Sequence, residues 1–157
     1  VCSSDLRIGL VNGDMRYLYS HHREKGYRQA LEELEYPWSG VAYTDEISPE
    51  AGSQAVKELL ALPEPPDAVF AVSDVLAVGV VHAALEAGLR VPEDLAVVGF
   101  DGIPFTRSLN PPLTTIEQPM NQLGARSVQL LLQKIRNPNA SVVREVLPWT
   151  RVERASS

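Results

Sequence analysis

Cysteine is nearly absent from this chain: Cys2 stands alone, which excludes an intramolecular disulfide and any multi-cysteine metal site. No apolar run is long enough to cross a bilayer, and the opening residues show no signal-peptide pattern. A surplus of positive charge is missing too. Fourteen Lys and Arg stand against 20 Asp and Glu, a formal charge of −6, which argues against this segment gripping a phosphate backbone by itself. There is no internal repeat, no low-complexity tract and no block of like charge. Enzyme signatures are lacking as well, with no G-x-S-x-G elbow, no P-loop and no dinucleotide-type glycine fingerprint. What is present is an ordinary globular composition, 45% hydrophobic and 22% charged over 157 residues. That length suffices for one well-buried domain, or one lobe with a piece of another.

Strand and helix patterns alternate along the chain. Arg7 to Asn12 reads as a first strand and Tyr19 to Glu35 as a helix with Tyr27, Ala30, Leu31 and Leu34 on its apolar face, stopped by Pro37. Gly40 to Thr44 reads as a second strand. Ser48-Pro49 opens the next helix as N-cap and first helical residue, with Ala55, Val56, Leu59 and Leu60 inward. Ala68 to Val72 is a third strand, followed by a helix from Asp74 to about Ala87 that is apolar nearly all round. A helix without a polar face is normally covered on both sides. This order predicts an open parallel sheet wrapped by helices.

The most informative stretch is VPEDLAVVGFDGIPFTRSLNPPLTTIEQ, from Val91 to Gln118. Leu95 to Phe100 is apolar without alternation, as in a strand buried on both faces. It ends in Asp101-Gly102, where open α/β sheets bind ligands, beyond the carboxyl end of a strand. Leu113 to Glu117 reads as another strand. Pro119 to Arg136 reads as a long amphipathic helix with Met120, Leu123, Val128, Leu131, Leu132 and Ile135 in its stripe, and Val142 to Leu147 as a last strand.

VPEDLAVVGFDG, then PPLTTIEQP, then LGARSVQLLLQKI resemble the effector-binding domain of LacI/GalR-type transcriptional repressors, and the likeness covers Arg7 to Arg154. It implies a periplasmic-binding-protein-like fold of two α/β lobes with a small ligand between them. On that resemblance residues 7–113 are the C-terminal lobe and 114–140 belong to a mostly missing N-terminal lobe, while 141–157 hold the returning strand and tail. The DNA-binding headpiece is absent. Residues 1–6, VCSSDL, resemble a translated sequencing-adapter end and are expected to be non-native.

Read by itself, Asp101 is either a turn residue, since Asp-Gly is a common turn pair, or an acceptor for sugar or nucleoside hydroxyls. The resemblance favours the ligand. It also implies that Arg23, in HREKGYRQAL, donates a forked pair of hydrogen bonds to that ligand. By the same likeness Ser73 offers a polar side chain, Tyr17 and Tyr19 line the mouth, and Ile47 takes the place of an aromatic platform. Gln118 and Leu123 face the cleft from the other lobe. Relatives often carry a second Asp where this chain has Gly102. Asp74 reads as a helix N-cap.

His21 and His22 read as surface groups, His82 as a core or interface residue, and Glu32-Glu33 as a solvated helix face. No metal, cofactor or catalytic role is expected. The helix Asp74–Ala87 and the loop Ile103–Leu109 are expected to pair two subunits, through Leu76, Val80, Val81, Ala84, Ile103 and Phe105. The alternative is that another element of the same chain buries them. The expected function is cytoplasmic sensing of a sugar or related metabolite by a dimeric regulator that meets operator DNA only through its missing headpiece. A periplasmic sugar-binding protein of a transport system is the competing binding module, and an α/β enzyme fragment the third reading.

Overall fold

Alternating strands and helices build a single sheet in the computed structural model, which describes residues 6–36, 38 and 40–157. Cys2, Pro37 and all but the last residue of the expected leader lie outside those. Among the described residues the order is β1 (Ile8–Asn12), α1 (Leu18–Glu33), β2 (Gly40–Tyr43), α2 (Pro49–Leu60), β3 (Ala68–Ala71), α3 (Asp74–Glu86), β4 (Ala96–Asp101), β5 (Thr114–Glu117), α4 (Met120–Arg136) and β6 (Thr150–Val152). A short 3-10 turn, Pro104–Ser108, precedes β5. The strands lie in the order β2-β1-β3-β4-β5-β6.

β1 to β5 are parallel throughout, but β6 runs antiparallel to β5. The sheet is therefore mixed at one edge rather than wholly parallel. The expected last strand, 142–147, is irregular and mostly exposed; β6 forms three residues beyond it. An apolar run makes a strand only where a ladder partner is available, and here the partner takes 150–152. The tail beyond it is stitched across β4 and β5. Ser156 Oγ accepts from the Thr114 amide at 2.8 Å and donates to the Val97 carbonyl at 2.6 Å, and Arg154 donates to the Leu113 carbonyl at 2.6 Å. Thr114 to Glu117 pair in register with Val98 to Asp101, so β5 belongs to the same sheet as β4.

Residues two apart on a strand share a face, which sorts the helices. A Cβ on Gly9 would lie 3.1 Å from Leu59 of α2, and one on Gly99 would meet Ala77 of α3 at 3.4 Å, so α2 and α3 cover one face. The other face carries α1, whose Tyr27 hydroxyl donates to the Ile8 carbonyl at 2.6 Å. α2 and α3 touch almost backbone to backbone. A Cβ on Gly79 would sit 1.8 Å from the Pro49 carbonyl oxygen, and one on Gly52 would sit 2.2 Å from that of Leu76, so both contacts need glycine. This explains how an all-apolar helix is covered on both sides: α3 packs on the sheet and on α2.

The stripe expected on α1 splits. Tyr27 and Leu31 are buried, whereas Ala30 and Leu34 border an open groove of about 650 Å³ with Ile8, Phe70 and Phe100.

The apolar stripe of α4 is exposed: Met120, Val128, Leu131 and Ile135 each leave more than half of their surface in water. Irregular residues run beside it, held by an Arg126–Glu145 ion pair at 2.6 Å. Such a patch favours self-association. Light scattering of the 157-residue chain should give a mass that rises with concentration above 17.2 kDa, and Leu131→Lys with Ile135→Lys should suppress the rise. A monodisperse wild-type monomer contradicts this expectation.

Candidate functional site

The carboxyl ends of the parallel strands β1, β3, β4 and β5 lie along one edge of the sheet, and Asp101 closes β4 there. Its carboxylate accepts from Arg23 at 3.2 Å and from the Gln118 side-chain amide at 2.8 Å. Arg23 reaches it from α1 across 78 residues of sequence. The same guanidinium donates to the Val72 carbonyl, stacks 3.9 Å over the Phe100 ring and lies 5.1 Å from the Tyr19 ring. Arg23 and Asp101 are both largely withdrawn from water, with 17% and 31% of their side chains exposed. A desolvated ion pair of this kind needs such extra hydrogen bonds to hold.

Asp101 sits at φ 122 and Gly102 at φ 77. The first is a costly backbone for an L-residue, of a kind that gathers at ligand clamps. A Cβ on Gly102 would stand 2.6 Å from Glu117 Cγ, so the second Asp common among relatives has no room here unless Glu117 moves. Burial pushes the Asp101 carboxyl above its usual 3.8. Arg23, Gln118 and Ser73 pull it back, and Asp74 pushes it further up.

Tyr17 is the N-cap position of α1 and its ring stacks on Tyr19, centroids 5.6 Å apart. Tyr19, Ser20 and Ile47 converge on Gly13, where a Cβ would stand 3.1 to 3.2 Å from each of them. The start of α1, with Tyr17 as its N-cap and Tyr19 in its first turn, is anchored from below. Asn12 donates to Glu24 at 3.0 Å and to the Ser20 carbonyl at 3.3 Å, while Tyr43 and Arg28 donate to Glu24 at 3.0 and 2.9 Å. Burial pushes the Glu24 carboxyl up, but Arg28, Tyr43 and Asn12 together bring it below its ordinary value.

Asp101, Arg23, Gln118, Ser73 and Tyr19 are thus gathered in one place, with Tyr17 and Ile47 at its rim. Leu123 is not among them; it lies in the first turn of α4, partly exposed. The capping duty expected of Asp74 falls to Ser73. Ser73 is the N-cap, accepting from the Val75 amide at 3.2 Å. Asp74 is wholly buried, accepting from the Thr115 hydroxyl at 2.5 Å and the Ile103 amide at 2.8 Å. Two neighbouring cap residues cannot both cap one helix, and the left-over acid in an apolar helix signalled a buried hydrogen-bonding duty. Phe100, the ring beneath Arg23, was read only as part of a buried strand. Its alternation with Gly99, which faces α3, assigns it to the α1 face. Among the described residues no cluster of His, Cys, Asp and Glu could hold a metal ion.

Of the residues expected to pair two copies, Leu76, Val80, Val81 and Ala84 are buried in the core cluster of this chain, Val81 at the floor of the groove described next. Ile103 is half-buried and Phe105 exposed. The open flank of α3 is instead Val78, His82 and Leu85, which with Pro49, Ser53 and Leu109 line a groove of about 520 Å³.

The profile of the family described as periplasmic binding protein-like domain matches residues 6–157. The ribose operon repressor of Haemophilus influenzae is 39% identical over 154 residues, covering 96% of this chain and 46% of that protein. A LacI family transcriptional regulator from Enterococcus faecium, solved with bound ribose, is 33% identical with TM-score 0.86, covering 96% of this chain and 56% of that one. The lac repressor dimer bound to operator and an anti-inducer is 28% identical with TM-score 0.88, covering 98% and 53%. The chain spans about half the length of the curated relatives it matches.

The raised carboxyl gives the site a pH signature. Its folded-state value lies above the unfolded one, so its contribution to stability is fully present below about pH 3.8 and is lost as pH rises through the folded value. Relative to wild type, Asp101→Asn, which is neutral at every pH, should gain about 2 °C in melting temperature between acid and pH 7. That gain should vanish below pH 3.8. Equal melting curves at both pH values, followed by circular dichroism, would remove the claim.

Proposed function

Because the chain belongs to the periplasmic binding protein-like domain family and resembles its LacI-type repressors, we propose that it is the effector-sensing part of a transcriptional regulator, mostly its C-terminal lobe. The observation that carries this is the meeting of Arg23, Asp101 and Gln118 at the carboxyl edge of the sheet. A neutralised Arg–Asp pair with spare donors and acceptors suits adjacent hydroxyls better than an anion, so the effector is a neutral sugar or a metabolite with a sugar moiety. Phe100 holds the guanidinium flat, and Tyr17 and Tyr19 offer rings at the rim.

The residues from Pro119 to 140 then pack in the second lobe, which accounts for the exposed stripe of α4. Effector binding between the lobes shifts their relative orientation and so the presentation of two DNA-binding heads. This takes place in the cytoplasm, and the protein is not an enzyme. Its relatives are repressors, which favours a regulator over a transport-type binding protein. Titration calorimetry of the full-length regulator against D-ribose, cellobiose and a nucleoside should find one binder. Asp101→Ala or Arg23→Ala should then weaken it about 30-fold, the loss of one or two charge-assisted hydrogen bonds. Undiminished binding by both variants would end this reading of the site.

Pairing of two copies runs through Val78, His82 and Leu85 on the open flank of α3, joined by Phe105 and Leu109. An isologous contact places two heads about a two-fold axis. In the full-length protein Leu85→Glu should give folded monomers by analytical ultracentrifugation. Val81→Asp, which buries a charge, should instead unfold the lobe. A Leu85→Glu protein that remains dimeric would place the contact elsewhere.

A further inference from the structure

The Asp74 carboxylate is fully buried, yet it lies one layer behind the crevice and has no path to a ligand. Its two oxygens are used in different directions. Oδ1 takes the Thr115 hydroxyl from β5 and Oδ2 takes the Ile103 amide from the segment leaving Asp101. Space for it exists only because residue 99 is glycine: a Cβ there would stand 2.3 Å from Oδ1. Its place in the first turn of α3 lets the helix N-terminus share in stabilising the charge. The segment it grips is the one under strain, two consecutive residues at positive φ that turn Asp101 toward Arg23 and Gln118.

We propose that Asp74 is a positioning residue for the ligand-facing carboxylate. By pinning the Ile103 amide and the Thr115 hydroxyl it holds the 101–102 backbone in its strained turn, so that Asp101 is aimed before any ligand arrives. This rests on the reading of Asp101 as a ligand residue, but the geometry it describes exists in the free protein. Charged groups face Asp101 from three elements: Arg23 from α1, Asp74 from α3 and Glu117 from its register position on β5. Replacing Asp74 by Asn removes the like charge and one of the two acceptor oxygens, so any hydrogen bond the Ile103 amide keeps is to a neutral amide oxygen.

The test needs no ligand. Carbon-13 NMR of side-chain carboxyls in the 157-residue chain follows Asp101 across pH, and amide exchange follows Ile103. In wild type Asp101 should titrate above the ordinary range. In Asp74→Asn it should titrate lower than in wild type, with Ile103 exchanging at least about tenfold faster, an opening easier by about 1.4 kcal/mol. A merely structural loss lowers the melting temperature without singling out the Ile103 amide. Should Asp74→Asn not fold, Thr115→Val cuts one anchor and keeps the charge. It should speed Ile103 exchange and lower the Asp101 midpoint, and Thr115→Ser should restore both. An unchanged Asp101 titration and unchanged Ile103 exchange in any folded variant overturns the proposal. Failure of every sugar to bind, with these NMR changes present, would instead count against the sensing function alone.

Discussion

A carboxylate taken two-thirds out of water at the end of a strand must be met by a cation, and Arg23 meets Asp101 from a helix on the far side of β1. The rest of the crevice follows from holding that pair still. Arg23 is clamped between the Val72 carbonyl and the Phe100 ring, so its fork has few other places to go. A cation over a desolvated aromatic face is worth on the order of 2 kcal/mol, enough to fix one rotamer of a long side chain. Gln118 closes the other side, on the residue where β5 leaves the sheet. Four elements are thereby tied at one point.

Polar burial beneath the mouth has the same purpose. Asn12 is wholly buried at the end of β1 and bonds Glu24, which Tyr43 and Arg28 also reach. A network in which each member has a partner stiffens the start of α1 against the sheet. Tyr17 is the N-cap of that helix and Tyr19 lies in its first turn. Among the described residues the buried side-chain atom left without a partner is Ser20 Oγ, in the same neighbourhood, facing Gly13 and Tyr19. The stiff floor and the strained turn at Asp101 lie at opposite ends of one short row of strand termini.

Much of this could be read from residues in order, because strands buried on both faces are continuous apolar runs and helix starts carry their caps. The alternation of elements, Ser48 with Pro49, and the placement of Asp101 beyond a strand all follow from local chemistry. The partner of Asp101 was named from family likeness, since contact between residues 78 apart leaves no local trace. Where reading failed, the cause was an apolar residue with two possible neighbours. Leu76, Val80, Val81 and Ala84 look equally fit for a subunit contact or for a helix of the same chain. What decides is Gly52 against Gly79, a notch that lets α2 approach and cover them. Val142 to Leu147 failed similarly: β propensity was present, a ladder partner was not.

The glycine notch also limits how a signal could leave the crevice. α3 has its first turn at the site, where Ser73 and Asp74 face Asp101 and Ile103, and its flank on the groove of Val78, His82 and Leu85. Between these ends it is locked to α2 by carbonyl contacts that leave no room for a methyl group, and to the sheet where Ala77 meets Gly99. Close-packed interiors of this kind move as units rather than bend. A ligand that pulls on Asp101 therefore cannot act by reshaping α3. On the sensing role proposed above, it would act on this sheet and its helices as one rigid body, changing the angle at which that body meets a second lobe and a paired copy.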